Sequence, residues 1–137
     1  MRNEISFTIT VPEAYEQAMV TVTDALKSEG FGVLTEIDVK ATLKKKIDVD
    51  FRQYSILGAC NPPLAHKALQ SDPQVGLLLP CNVTVEEIEG GTRINLINPK
   101  TMLLSNPLLA ENKILNEVAL DAYARLERVA RILESKS

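Results

Sequence analysis

The chain has no tryptophan, and only 4% of its residues are aromatic. It therefore offers few of the rings on which single-stranded nucleic acids stack. An excess of basic charge is also missing, since 15 Lys and Arg residues face 18 Asp and Glu residues, for a net charge of −3. Domains that hold phosphate backbones are usually basic. We therefore expect no nucleic-acid partner.

Long apolar runs are absent as well. No stretch approaches the roughly 20 apolar residues that a membrane-spanning helix needs. The first residues alternate polar and apolar side chains and contain no signal-peptide core. We expect a cytoplasmic protein with no membrane partner. Stable disulfides are disfavoured in that compartment, so we expect the two cysteines, Cys60 and Cys81, to be reduced.

Histidine occurs once, as His66, and nothing in the sequence ties it to a serine or a carboxylate. A hydrolase or transferase site built on a histidine base is therefore not indicated. The lack of such a catalytic set favours a non-enzymatic protein.

What the chain does contain is the composition of one globular domain. Of its 137 residues, 45% are apolar and 24% are charged. Folding a chain of this length buries roughly two thirds of its accessible surface, which suffices for a core without cross-links. We expect a single domain over residues 1–137.

Hydrophobic periodicity predicts both strands and helices. Alternation or apolar runs predict strands over residues 5–11, 31–37, 54–60, 77–88 and 92–97, the fourth broken near Pro80. Cap and stripe signals predict helices from Pro12 to Gly30, from Asp38 to about Lys46, from Asn61 to Asp72, and from Asn112 to about Leu133. Two prolines, Pro99 and Pro107, predict a packed irregular loop over residues 99–111.

This order of elements predicts an α+β fold, with a mainly antiparallel sheet and helices on one face. If the other face of the sheet is apolar, it also needs a cover. The chain has no element left for that purpose, so we expect a homodimer.

Scarce and reactive side chains are concentrated in two places. Cys60 and Cys81 each follow an apolar run, and each is followed by an asparagine, Asn61 and Asn82. If the two strands are neighbours, both thiols meet at one end of the sheet, with the two amides lining a pocket beside them. These four residues form the candidate ligand-binding site, for a small molecule whose identity the sequence leaves open.

A soft metal such as zinc is one candidate occupant, since thiolates are strong ligands for it and His66 would add a nitrogen. The spacing C-x20-C contains no C-x2-C pair, so the metal signal is weak. An exposed surface position is the favoured interpretation of His66.

Two other functions remain open. A thiol redox enzyme would use Cys60, Cys81 or both, because the N-terminus of the helix after Asn61 would lower the pKa of the Cys60 thiol. A purely structural protein-interaction module would use both cysteines only as small packing residues.

The segments 56–62 and 79–83 resemble those of the domain-of-unknown-function 302 family. The layout agrees, with an early helix before Gly30-Phe31-Gly32-Val33, a hairpin that ends in Asn98-Pro99, and a long final helix. The resemblance covers nearly the whole chain. It implies a fold similar to the TATA-binding protein, β-α-β4-α with extra short helices, usually paired as a homodimer. It implies no activity, because fold does not transfer function.

Overall fold

One antiparallel sheet of five strands forms the centre of the computed structural model, which describes residues 1–137. The elements in chain order are β1 (Ser6–Val11), α1 (Tyr15–Ser28), β2 (Gly32–Asp38), α2 (Val39–Ile47), β3 (Tyr54–Cys60), α3 (Pro62–Ser71), a 3₁₀ helix (Pro73–Leu78), β4 (Cys81–Ile88), β5 (Gly91–Ile97), α4 (Pro99–Leu104), α5 (Pro107–Ala110) and α6 (Lys113–Glu134). The strand order is β1-β5-β4-β3-β2. The predicted α+β fold and its β-α-β4-α order with extra short helices are confirmed.

The larger hydrophobic cluster lies between the sheet and helices α1 and α6. Inward-facing residues of the strands, such as Phe7, Leu57 and Leu96, pack there against Leu26 of α1 and Leu126 of α6. We call this cluster the sheet core. The predicted stripe of α6 is confirmed, because its buried residues are Leu115, Val118, Ala119, Ala122, Leu126, Val129, Ala130 and Leu133.

A second, smaller cluster lies beside the sheet core. Short helices surround it, and its buried side chains include Ala68, Val75, Leu103 and Leu115. We call the segments 61–79 and 98–120 the helical lobe. Helix α6 belongs to both clusters, since its first half packs in the lobe and its second half packs on the sheet.

Asparagine side chains start the helices of the lobe. Asn61, Asn98, Asn106 and Asn112 each accept a hydrogen bond from a backbone N–H in the first turn that follows. The first three are followed by proline at the first helical position, where its missing N–H costs nothing. The loop predicted for residues 99–111 is therefore wrong, since Pro99 and Pro107 begin α4 and α5.

The strand predicted from Leu77 is also wrong at its start. Residues Pro73–Leu78 form the 3₁₀ helix, the Leu79–Pro80 peptide bond is cis, and β4 begins only at Cys81. Three leucines in a row carry no helical or strand period, so tertiary packing decides their conformation. Helix α1 likewise begins at Tyr15 rather than at the predicted Pro12.

The sheet face opposite α1 and α6 carries mainly polar side chains. Thr8 donates a hydrogen bond of 2.7 Å to Asn95, and Asn95 donates one of 3.1 Å to Thr84. Buried Glu86 on the same face accepts hydrogen bonds from Arg52 and Arg93. This face is therefore polar over β1, β5 and β4, and its apolar side chains toward the β2 edge include Ile37 and Ile56. None of the helices combines the length and apolar character that crossing a membrane demands.

Candidate functional site

The pairing of β3 with β4 brings the two cysteines to the same end of the sheet. The strands run antiparallel, with Ala59 opposite Cys81, so the last residue of β3 lies one register position from the first residue of β4. Cys60 is half-buried and Cys81 is buried. The condition on which a shared site depends, that the two cysteine-bearing strands are neighbours, is therefore met.

A cavity of about 240 Å³ opens at this end of the sheet, and both cysteines line it. It lies at the junction between the sheet core and the helical lobe. Phe31 and Ala59 of the sheet core form part of its wall, and Ala68, Leu103 and Val118 of the lobe form another part. Exposed Leu34 and Leu69 stand at its open side.

Small side chains on the surrounding elements leave this space empty. Ala59 of β3, Ala65 and Ala68 of α3, and Ala122 of α6 all face the cavity. A larger side chain at any of these positions would fill it, whereas leucine and methionine close the remaining walls. Almost all of the lining is therefore apolar.

A glycine in β3 allows the chain before Cys81 to approach closely. A Cβ atom at Gly58 would clash with Oγ1 of Thr35 and with Cγ of Pro80. Pro80 also lines the cavity. Gly58 thus lets β2, β3 and the segment before β4 converge beside the cavity.

Burial raises the pKa of both thiols. The pKa of Cys60 lies above its ordinary value because of desolvation. Desolvation, with a smaller contribution from the charge of Cys60, raises the pKa of Cys81 to about 12. Burial therefore shifts the pKa of Cys60 in the direction opposite to the lowering expected from the α3 N-terminus.

Asn61 lies in the wall of the cavity, but its side chain is occupied as a helix cap. Its Oδ1 accepts a hydrogen bond of 3.3 Å from the N–H of Leu64, and its Nδ2 donates one of 3.4 Å to the carbonyl oxygen of Glu29. The residue is only 8% exposed. Its amide caps α3 and ties it to the end of α1.

Asn82 does not line the cavity, although the sequence placed it in the pocket wall with the thiols. It is paired with Gly58 and points to the opposite face of the sheet from Cys81 and Ala59, because side chains alternate along a strand. There it is exposed, near Thr84 and Asn95.

His66 does not join the cysteines either. The cavity side of α3 carries Leu64, Ala65 and Ala68, and His66 is exposed, as the favoured interpretation held. No group of three or more His, Cys, Asp or Glu side chains is arranged to hold a metal ion. The predicted ligand set Cys60, Cys81 and His66 is therefore not assembled within the chain.

Met102 is a cavity residue that the sequence reasoning missed. It lies on α4, in the segment predicted as an irregular loop, and it adds a third sulfur to the lining. The Asn98-Pro99 pair is the signal that predicts a helix there. A period of 3.6 residues from Pro99 would then have placed Met102 and Leu103 on its inner side.

Comparison with known proteins gives a family and a related structure. The family described as "Domain of unknown function DUF302" matches residues 7–133. No curated protein matches the chain. The crystal structure of an uncharacterized conserved DUF302 protein from Bacillus stearothermophilus is similar, with a TM-score of 0.77 and 30% identity over 96% of this chain and 98% of that one. The chain belongs to the DUF302 family of domains of unknown function.

Proposed function

We propose that the protein binds an uncharged, largely apolar small molecule in the cavity beside Cys60 and Cys81. The observation that carries this proposal is the cavity itself, which lies between two packed clusters and is walled almost entirely by apolar side chains. Protein interiors rarely leave voids larger than a water molecule. A space of this size beside one half-buried and one buried thiol is therefore the best candidate for a binding site.

Its size sets the scale of the ligand. A dry apolar cavity of about 150 Å³ binds benzene, so a cavity of about 240 Å³ admits a somewhat larger molecule. Binding would remove apolar surface from water at about 25 cal/mol per Å². Asn61 adds little specificity, since both ends of its amide are already hydrogen-bonded.

The protonation of the thiols favours binding over redox chemistry. A redox cysteine reacts as the thiolate, which a lowered pKa supplies. Both thiols instead have raised pKa values and stay protonated near neutral pH. Within this proposal the sulfurs act as soft, polarisable wall atoms. A soft metal held by Cys60 and Cys81 would have to displace both protons.

A fluorescent-probe experiment tests the proposal. 1-Naphthylamine, an uncharged two-ring dye whose size matches the cavity and whose emission shifts to the blue in apolar surroundings, is titrated with the wild-type protein and with Ala65→Phe. Ala65 is half-buried and faces the cavity, so a phenyl ring there fills the space. We expect the wild type to bind the dye and the variant to bind it at least tenfold more weakly.

The matched control is Ala41→Phe, which places the same ring on the exposed surface of α2. It should leave dye binding unchanged. Equal binding by the wild type and Ala65→Phe would contradict the proposal, as would no binding at all. Elemental analysis of untagged protein, beside a Cys60→Ser/Cys81→Ser variant, tests the metal alternative directly. Stoichiometric metal in the wild type that is lost in the variant would show that the two cysteines bind a metal, and the proposal of an apolar ligand would fall.

The homodimer remains a proposal, and the β2–α2 arm now supports it. Leu34 and Ile37 of the edge strand and Ile47 at the end of α2 are exposed, and α2 buries no side chain within the single chain. A second copy that covers this arm would bury these residues. The mass in solution, measured by light scattering, decides: a value near the 15.1 kDa of one chain refutes the dimer. The cytoplasmic location and the lack of a nucleic-acid partner also stay predictions.

A further inference from the structure

A second cavity adjoins the one beside the cysteines. It measures about 460 Å³ and lies on the outer side of the helical lobe, between the 3₁₀ helix and helices α4 and α5. Met102 lines both cavities and is the one residue that their linings share. We call them the inner cavity, beside the cysteines, and the outer cavity.

The wall between the two cavities is easy to move. Methionine is unbranched and has several rotatable bonds, so it adapts to irregular spaces at low cost. Met102 is only half-buried, unlike its neighbour Leu103, which is 2% exposed. A change of its rotamer is the movement that would connect the inner and outer cavities.

The polar groups of this passage lie at its outer end. Asp72, Gln74, Ser105 and Asn106 line the outer cavity together with leucines. The open side of the inner cavity carries Leu34 and Leu69 and no charged side chain. An occupant that fills both cavities therefore needs an apolar tail at the cysteine end and a polar head at the outer end.

The charge at the outer end selects the kind of head. Asp72 is the only ionisable residue in the lining of the outer cavity, and its carboxylate already accepts a hydrogen bond from the N–H of Gln74. A carboxylate or phosphate head would meet its negative charge. An ammonium or hydroxyl head would donate to it and to the nearby amides.

We infer that the ligand is a single-chain amphiphile with a cationic or neutral hydrogen-bonding head, whose tail passes Met102 into the inner cavity. This inference rests on the proposed function and extends it from a compact apolar molecule to a long-chain one. No covalent step is involved. Affinity comes from the burial of the tail, and the choice of head comes from Asp72.

Chain length provides the first test, by calorimetric titration with straight-chain primary amines from hexylamine to tetradecylamine, below their micellar concentrations. Scaled from the cavity of about 150 Å³ that holds benzene, the inner cavity alone accommodates about nine or ten carbon atoms. We expect Kd to keep falling beyond decylamine, by about two- to fourfold for each added methylene. A Kd that stops falling near decylamine overturns the inference and leaves the proposed function standing. Absence of binding at every length also overturns the inference, while the dye titration with the uncharged probe decides the proposed function separately.

A variant pair locates the longer part of the chain. Ser105→Phe places a ring in the outer cavity and leaves the inner one untouched. Ser135→Phe is the matched control, because Ser135 is also an exposed serine that caps the end of a helix and donates to a carbonyl of the preceding turn. Ser105→Phe should weaken tetradecylamine at least tenfold and leave hexylamine unchanged, and Ser135→Phe should change neither. Equal affinities for tetradecylamine in the two variants overturn the inference.

The head group has its own test. We expect dodecylamine to bind up to about fivefold more tightly than dodecanoate, the range of a partly exposed charge interaction. Asp72→Asn should abolish this preference, since asparagine keeps the helix cap and removes the charge. Asp50→Asn, at a side chain that is 94% exposed and outside both cavities, should preserve it. Dodecanoate that binds as tightly as the amine to the wild type overturns the assigned head group.

Discussion

The sheet core and the helical lobe are built from the same kinds of apolar side chain, yet they pack differently. The sheet core joins 18 buried residues into one cluster, whereas the lobe joins seven. In the sheet core, hydrogen bonds between paired strands fix the spacing of the strands that carry the buried side chains. The helical lobe is built from short helices of four to ten residues and the N-terminal half of α6; an asparagine starts each of these helices except the 3₁₀ helix, which Asp72 starts.

The difference shows which part of this domain tolerates incomplete packing. The apolar cavity beside the cysteines lies where the sheet core meets the lobe. A well-packed scaffold with one loosely packed edge is the usual arrangement of a binding protein. Substitutions in the two regions should therefore differ in their effect on the free energy of unfolding.

The largest difference is expected between two buried leucines. Leu126→Ala, in the sheet core, should lower the free energy of unfolding by about 3–5 kcal/mol, because it leaves a new cavity in a closed cluster. Leu103→Ala, which lines the existing cavity, should cost about 2–3 kcal/mol, since its side chain has fewer packed neighbours to lose. Urea denaturation followed by circular dichroism measures both. Equal costs would show that the lobe is packed as tightly as the sheet core.

The buried thiol should make stability depend on alkaline pH. The pKa of Cys81 is raised to about 12, above its unfolded value near 9, so the folded state keeps a proton that the unfolded chain releases. The stabilising contribution is complete below about pH 9 and is lost as the pH rises toward 12, at no more than about 1.4 kcal/mol per pH unit.

The measurement is the difference between the pH profiles of the wild type and Cys81→Ala, which cancels the titration of lysine and tyrosine. Cys60→Ala should remove a smaller slope, because Cys60 is half-buried. Identical profiles for the wild type and Cys81→Ala would mean that the thiol reaches water more readily than its place in the cavity wall implies.

Two helix caps of the lobe should differ in how much they stabilise the protein. Asn61→Ala removes the cap of α3 and the link to Glu29 from a buried position, at a cost of about 1–2 kcal/mol. Asn106→Ala removes the exposed cap of α5, a helix of four residues, at a cost of about 0.5–1 kcal/mol. Thermal unfolding of both variants ranks the two caps. A larger cost at Asn106 would show that the cap of α5 on the surface supports the lobe more than the cap of α3 in the cavity wall does.

The smallest effect is expected on the surface of α6. Arg131→Ala breaks an ion pair of 3.6 Å with Glu127, in which the arginine side chain is 71% exposed. Such pairs contribute less than about 0.5 kcal/mol. A cost above 1 kcal/mol in urea denaturation would indicate that another chain covers this surface.

The elements with a clear period were predictable from the sequence. Strand β3 has its predicted bounds, and α6 begins after Asn112 and buries its predicted stripe. Each depends on local signals, namely an apolar run that ends at a polar residue and a cap followed by a stripe. Gly30, whose φ of 84° suits the residue after a helix end, is another local signal that holds.

The site was predictable only in part, because it depends on which elements meet. Strand pairing brings Cys60 and Cys81 together, and alternation from Cys81 alone would have sent Asn82 to the other face. Leu77 to Leu79 carry no period, so the 3₁₀ helix was missed. The cavity itself arises from the distance between α3, α4 and α6, which no single segment encodes.

Helix α6 ties the two packing environments into one continuous element. Ala122, which lies in neither hydrophobic cluster and faces the cavity, marks the place where its support changes. Backbone amides after Ala122 are held by the sheet and should exchange with deuterium only on global unfolding. Those before it belong to the lobe, where local opening suffices. One uninterrupted helix would then show two levels of protection from exchange. A ligand in the inner cavity would raise the protection of the first half toward that of the second.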